Sequence, residues 1–119
     1  MEYVRSVKAR PPLPQGPFLV VGLARSGVAA AKALKAHGQA VFGVDSGEPD
    51  GLEALSESGV DFETSVDGLD QLEGVATVIK SPGVPETAEV IREATRRGLE
   101  VIGELELGWR MFEAPFVAI

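Results

Sequence analysis

Residues 18–27 read Phe-Leu-Val-Val-Gly-Leu-Ala-Arg-Ser-Gly. The first five, Phe18–Gly22, make a short unbroken apolar run of the kind found in a parallel strand covered on both faces. Gly22-Leu23-Ala24-Arg25-Ser26-Gly27 then turns the chain. Ser26 to His37 follows as an Ala-rich helix with Val28, Ala31 and Leu34 on one face and Gly38 as its stop. A strand, a glycine turn and a helix in immediate succession form the context in which helix-start N–H groups receive a phosphate. Gly22 permits the tight turn, and Gly27 lets helix and strand approach closely. Ala24 stands where dinucleotide-binding turns carry a middle glycine, which weakens an NAD reading but leaves the anion site. Ser26 offers a hydroxyl there and Arg25 a charge. The simpler alternative is a tight β–α turn with no ligand.

Working outward, Ala40–Val44 reads as a second strand that runs into Asp45 and Ser46. Asp45 lies 18 residues after Gly27, near the spacing at which an acid meets a ribose in dinucleotide folds. A turn aspartate is the plainer reading. Leu52–Ser58 is a short helix ending at Gly59, Val60–Glu63 a third strand, and Asp67–Gly74 a loop or helical turn. Val75–Ile79 is a buried strand followed by Lys80-Ser81-Pro82-Gly83-Val84-Pro85. In that loop the prolines add stiffness and Gly83 lets the backbone approach a flat ligand.

Glu86–Arg97 is a helix with Glu86 and Glu89 in its first turn and Arg92, Arg96 and Arg97 towards its end, matching the dipole. Leu99–Ile102 is a strand, Glu104–Phe112 a helix and Pro115–Ile119 a last strand. The pairs Leu105 with Trp109 and Leu107 with Met111 stand four residues apart and predict core packing. Glu104 reads as a first-turn acid and His37 as a helix-end residue, both favoured by the dipole. This alternation predicts an α/β fold: a Rossmann-like open parallel sheet with helices on both faces. It forms a single domain over residues 17–119, preceded by a Pro-rich arm over residues 1–16.

Composition narrows the chemistry. The chain has 119 residues, 11 Lys+Arg against 18 Asp+Glu, a net charge of −7 and 45% hydrophobic residues, with a mean hydropathy of +0.11. That is a folded composition, and its acidity argues against non-specific nucleic-acid binding. With 0 cysteines and 1 histidine, disulfides, thiol nucleophiles, Cys–zinc sites and His-rich metal clusters are excluded, and no Ser-His-Asp set is expected with only His37 available. No apolar run reaches the ~18 residues of a membrane span. The basic start with Arg5, Lys8 and Arg10 leads into prolines rather than an apolar stretch, so no signal peptide is expected. The expected location is the cytoplasm.

Taken together, GLARSG, VDS, KSPGVP, GELEL and APFVAI, in this order and spacing over about residues 17–119, resemble the N-terminal domain of the Mur ligases. Within that family the pattern is most similar to the members that join D-glutamate to UDP-N-acetylmuramoyl-L-alanine. The resemblance implies a domain that holds the UDP of the nucleotide-sugar substrate. Arg25, Ser26 and Gly27 would lie at the diphosphate, Asp45 and Ser46 at the uracil, and Ser81, Pro82 and Gly83 would form the opposite wall. It implies no cofactor in this segment, but ATP and magnesium for a full enzyme. In that enzyme a carboxyl is activated as an acyl phosphate and attacked by D-glutamate. In that family the strand matching Phe116–Ile119 runs into an ATP-binding phosphate loop, so the segment alone is expected to be inactive; separately, a monomer is expected. Two other readings remain: the coenzyme domain of an NAD-dependent oxidoreductase, and a non-catalytic nucleotide-sensing module.

Overall fold

A computed structural model describes residues 13–111. Within them five strands form one parallel sheet: β1 (Phe18–Val21), β2 (Val41–Asp45), β3 (Asp61–Thr64), β4 (Thr77–Lys80) and β5 (Glu100–Gly103). Their order across the sheet is β3-β2-β1-β4-β5. β1 is the central strand. Its residues Phe18 to Val21 pair in register with Val41 to Val44 on one side and Thr77 to Lys80 on the other. Because the chain leaves β1 first towards β2 and later returns to β4, a crevice opens at the carboxyl ends of β1 and β4, where ligands of such sheets bind.

All four residues of β1 are buried, and alternation sends Phe18 and Val20 to one face and Leu19 and Val21 to the other. The first face is covered by α1 (Arg25–Ala36), α2 (Leu52–Glu57) and α4 (Glu104–Met111), through Ala30, Ala31, Leu34, Leu55 and Leu107. The second is covered by α3 (Glu89–Arg96) and the 3-10 turn Asp70–Leu72, through Val90, Ile91, Ala94 and Leu72. The expected Rossmann-like sheet with helices on both faces is therefore present.

Three local expectations change. The helix expected from Glu86 begins only at Glu89. Residues 85–88 first make a turn, with the Ala88 N–H donating to the Pro85 carbonyl at 3.1 Å, so Glu86 lies outside the helix. Leu105 and Trp109 do not pack in the core. They are 90% and 47% exposed, because α4 lies at the edge of the sheet and buries only the face carrying Leu107. Residues 13–16, placed in the Pro-rich arm, are tied to the body. The Thr77 hydroxyl donates to the Gln15 carbonyl at 2.8 Å, and Leu13 packs against the core. The expected strand over Pro115–Ile119 and residues 1–12 lie outside the described residues.

On α3, Glu93 accepts from Arg96 Nε at 2.9 Å and from Arg97 Nε at 2.8 Å. These guanidinium hydrogen bonds hold its carboxyl down to about 2. The cluster lies at the surface, where such pairs add little to stability.

Candidate functional site: the crevice at the carboxyl ends of the strands

The Gly22–Gly27 turn is held from three directions. Gly22 has φ +99°, a conformation that costs glycine nothing, and a Cβ there would stand 2.6 Å from Ser81 Cβ. The Leu23 side chain is fully buried and fills the notch left by Gly43, where a Cβ would meet Leu23 Cδ2 at 2.8 Å. The Leu23 N–H donates to Asp45 Oδ2 at 2.7 Å, and the other carboxylate oxygen, Oδ1, accepts from the Gly47 N–H at 2.8 Å. Asp45 thus ties the end of β2 to the turn after β1, across 22 residues of chain.

The turn delivers the start of α1 to the crevice. The first intrahelical bond runs from the Val28 N–H to the Ala24 carbonyl at 2.9 Å, leaving the N–H groups before it without helical partners. Ala24 provides no side-chain cap, and the first turn carries no acid. Ser26 and Arg25 are exposed there, while Gly27 is buried. A Cβ on Gly27 would lie 1.8 Å from the Gly22 carbonyl oxygen. The donors of this helix start are not capped by its own residues, and such a start carries a partial positive charge that can meet an anion.

Beside it lies a cavity of about 210 Å³ walled by Gly22, Val44, Val66, Val84 and Val90 and reached by Asp45, Ser46 and Gly83. It is small for a ligand pocket, which commonly runs to ~300–1,000 Å³, so it suits one ring rather than a dinucleotide. Its charged residues are Asp45, Asp67 and Glu89, with no cation among them. Such a lining repels phosphate and accepts from N–H or O–H donors. The crevice thus sets a small, cation-free cavity beside an uncapped helix start.

Of the residues singled out in the sequence, Asp45, Ser46 and Gly83 share this cavity. Ser81 is buried beneath it and packs against Gly22, while Pro82 is exposed on the loop. Arg25 borders a separate hollow with Ala24, Pro49 and Asp50, and Ser26 and Gly27 line neither. Lys80 was given no role by its sequence position. Its ammonium donates to the Val84 carbonyl at 2.7 Å and reaches the Ser81 carbonyl at 3.4 Å, holding the loop that forms the cavity wall. Hydrogen bonds from a charged group favour Lys80 over Met here by ~1–2 kcal/mol after allowance for partial exposure. Lys80→Met is therefore expected to lower the urea midpoint. An unchanged midpoint would show that the ammonium does not hold the loop.

The family model described as "Mur ligase MurD-like, N-terminal domain" matches residues 17–103. The chain belongs to this family. It is 42% identical over 107 residues to UDP-N-acetylmuramoylalanine–D-glutamate ligase of Pelotomaculum thermopropionicum, covering 85% of this chain and 23% of that protein. To the ligase of the same name from Staphylococcus aureus it is 36% identical over 104 residues, again covering 85% and 23%. The chain thus spans about a quarter of the length of these curated relatives. Among solved structures, UDP-N-acetylmuramate–alanine ligase MurC of Thermotoga maritima superposes with a TM-score of 0.67 at 21% identity, covering 76% of this chain and 21% of that one. Shikimate 5-dehydrogenase of Thermus thermophilus superposes with a TM-score of 0.53 at 22% identity, covering 92% and 49%. At these identities both show a shared fold and nothing finer. Among the described residues, no helix of this MurD-like domain is long and apolar enough to cross a membrane.

Proposed function

We infer that this MurD-like domain is the uridine-diphosphate-binding part of a UDP-N-acetylmuramoyl-L-alanine–D-glutamate ligase. The whole enzyme would act in the cytoplasm in peptidoglycan precursor synthesis, forming an amide at the expense of ATP with magnesium. The observation that carries the reading is the pairing of a cation-free, ring-sized cavity with an uncapped helix start next to it. That pairing sits in a chain 42% identical to a D-glutamate ligase. Uracil would enter the cavity between Asp45 and Gly83, and the diphosphate would take the N–H groups of Arg25 and Ser26, the Ser26 hydroxyl and the Arg25 charge. The D-glutamate and ATP chemistry would belong to the remaining three quarters of such an enzyme, so residues 1–119 should not hydrolyse ATP. Metal-dependent turnover by the purified chain would overturn that assignment.

Calorimetric titration with UDP, NAD and AMP tests the binding reading. UDP is expected to bind and NAD to bind far more weakly, and the reverse order would favour a dehydrogenase-like role. Ser26→Ala is expected to weaken UDP by roughly 1.5–3 kcal/mol, the range for a hydrogen bond to a charged oxygen, and to leave uridine nearly unchanged. Equal losses for both ligands would move Ser26 away from the phosphates.

A further inference from the structure

Glu104 opens α4 directly after β5, and its side chain turns towards the start of α1. Its Oε2 is closed off from solvent and has no hydrogen-bond partner. It lies 3.4 Å from the position a Cβ on Gly27 would take. A first-turn acid serving only its own helix dipole would reach the N–H groups of α4. This one instead rests against the first turn of a neighbouring helix. The charged side chains on the surrounding elements are otherwise directed. Lys80 on β4 is spent on the Ser81 and Val84 carbonyls, and Arg110 on α4 bridges Glu100 of β5 and Glu106. Arg25 on α1 is exposed.

We propose that Glu104 is a specificity-determining residue that makes the diphosphate position favour a diphosphate esterified at both ends, as in a nucleotide sugar, over a diphosphate with a free terminal phosphate. This rests on the uridine-diphosphate reading above. The chemistry is a count of charges. A doubly esterified diphosphate carries about two negative charges at neutral pH. A free terminal phosphate adds most of a third, since its second ionisation lies at about 6. The helix start and Arg25 attract either form. A carboxylate oxygen shielded from water against the first turn of α1 would repel each added negative charge with little screening. Rejection of the wrong ligand by a placed like charge is a common route to specificity. Such a residue would let the domain hold the nucleotide sugar in the presence of free UDP and UTP.

The test compares UDP-N-acetylglucosamine, the P2-methyl ester of UDP, UDP and UTP by calorimetric titration at pH 7.5, with the wild-type chain and with Glu104→Gln. The methyl ester removes one charge while adding almost no contact, so it reads the effect without a variant. Wild type is expected to bind the methyl ester roughly tenfold more tightly than UDP, the scale of a like-charge contact partly shielded from solvent. Glu104→Gln keeps the shape and removes the charge. It is expected to bring the two ligands within about twofold, mainly by tightening UDP. Should Glu104→Gln fail to give a native circular-dichroism spectrum, Glu104→Ala carries the same expectation. Equal affinity of wild type for the ester and UDP, or a preference that survives in the variant, overturns the role of Glu104 and leaves the uridine site standing. Failure of all four ligands to bind either protein overturns the uridine site itself and this inference with it.

Discussion

Gly27→Ala is expected to be the most damaging single-atom-scale change in this domain. The added methyl would lie 1.8 Å from the Gly22 carbonyl oxygen and 2.9 Å from its carbon. Both are backbone atoms of the turn that β1, Leu23 and Asp45 hold in place, so no side chain can swing aside. Relief requires α1 to move away from β1, which opens the packing of Ala30, Ala31 and Leu34. Overpacking of this kind costs ~3 kcal/mol or more when the obstructing atoms are fixed. For a domain of this size that corresponds to a fall in Tm of roughly 12–24 °C. Gly83→Ala is the control, because a Cβ there meets nothing within 4 Å, and its Tm should stay within a few degrees of wild type. Thermal unfolding followed by circular dichroism reads both. A Gly27→Ala protein as stable as Gly83→Ala would mean that α1 does not sit this close to β1.

The second large effect is expected at Asp45. Its two oxygens each already accept one backbone N–H, from Leu23 and Gly47, and each retains a further lone pair for a ligand. A mutation therefore separates the observed clamp from the proposed reading of the base. As a clamp on the Gly22–Gly27 turn, its loss as Asp45→Ala should cost about 2–3 kcal/mol of stability, since hydrogen bonds to a charged acceptor lie at ~1.5–3 kcal/mol each and the site is partly solvated. In the proposed role of base reader, its carboxylate would accept from N3–H of uracil, whereas cytosine presents a bare acceptor at N3. Wild type is therefore expected to bind UDP at least ~10-fold more tightly than CDP, because sites built around a donor reject analogues that lack it. In Asp45→Ala, UDP should weaken by at least ~10-fold and the preference for UDP should collapse. If UDP and CDP weaken equally and their ratio is kept, Asp45 acts only as the clamp, and the base is read by Ser46 or the backbone at Gly83.

The strands and their partners follow from patterns within a few residues. Phe18–Gly22 is apolar without interruption, and Val75–Ile79 with only Thr77 as a break, because both faces of a central parallel strand are covered, and the glycines at 22, 38, 59 and 98 stop or turn the chain where positive φ is needed. The order of elements then limits the fold to a parallel sheet, since each return to the sheet passes through a helix or long connection. That Asp45, Ser46 and Gly83 meet at one crevice was legible for the same reason: they stand directly after strands, and in such a sheet every strand ends at the same rim.

Other features depend on contacts between segments distant in the chain. That Leu23 donates to Asp45, that Gly27 must lack a side chain because of the Gly22 carbonyl, and that Glu104 turns towards α1 rather than its own helix are consequences of β1 lying between β2 and β4. That order brings the ends of distant segments within hydrogen-bond reach. The helix pattern of Leu105 and Trp109 was equally consistent with burial, and only the position of α4 at the sheet edge leaves both exposed. Periodicity within a helix records which residues share a face. Which face meets another element is set by the neighbours the topology supplies, and that information is absent from any short stretch of the chain.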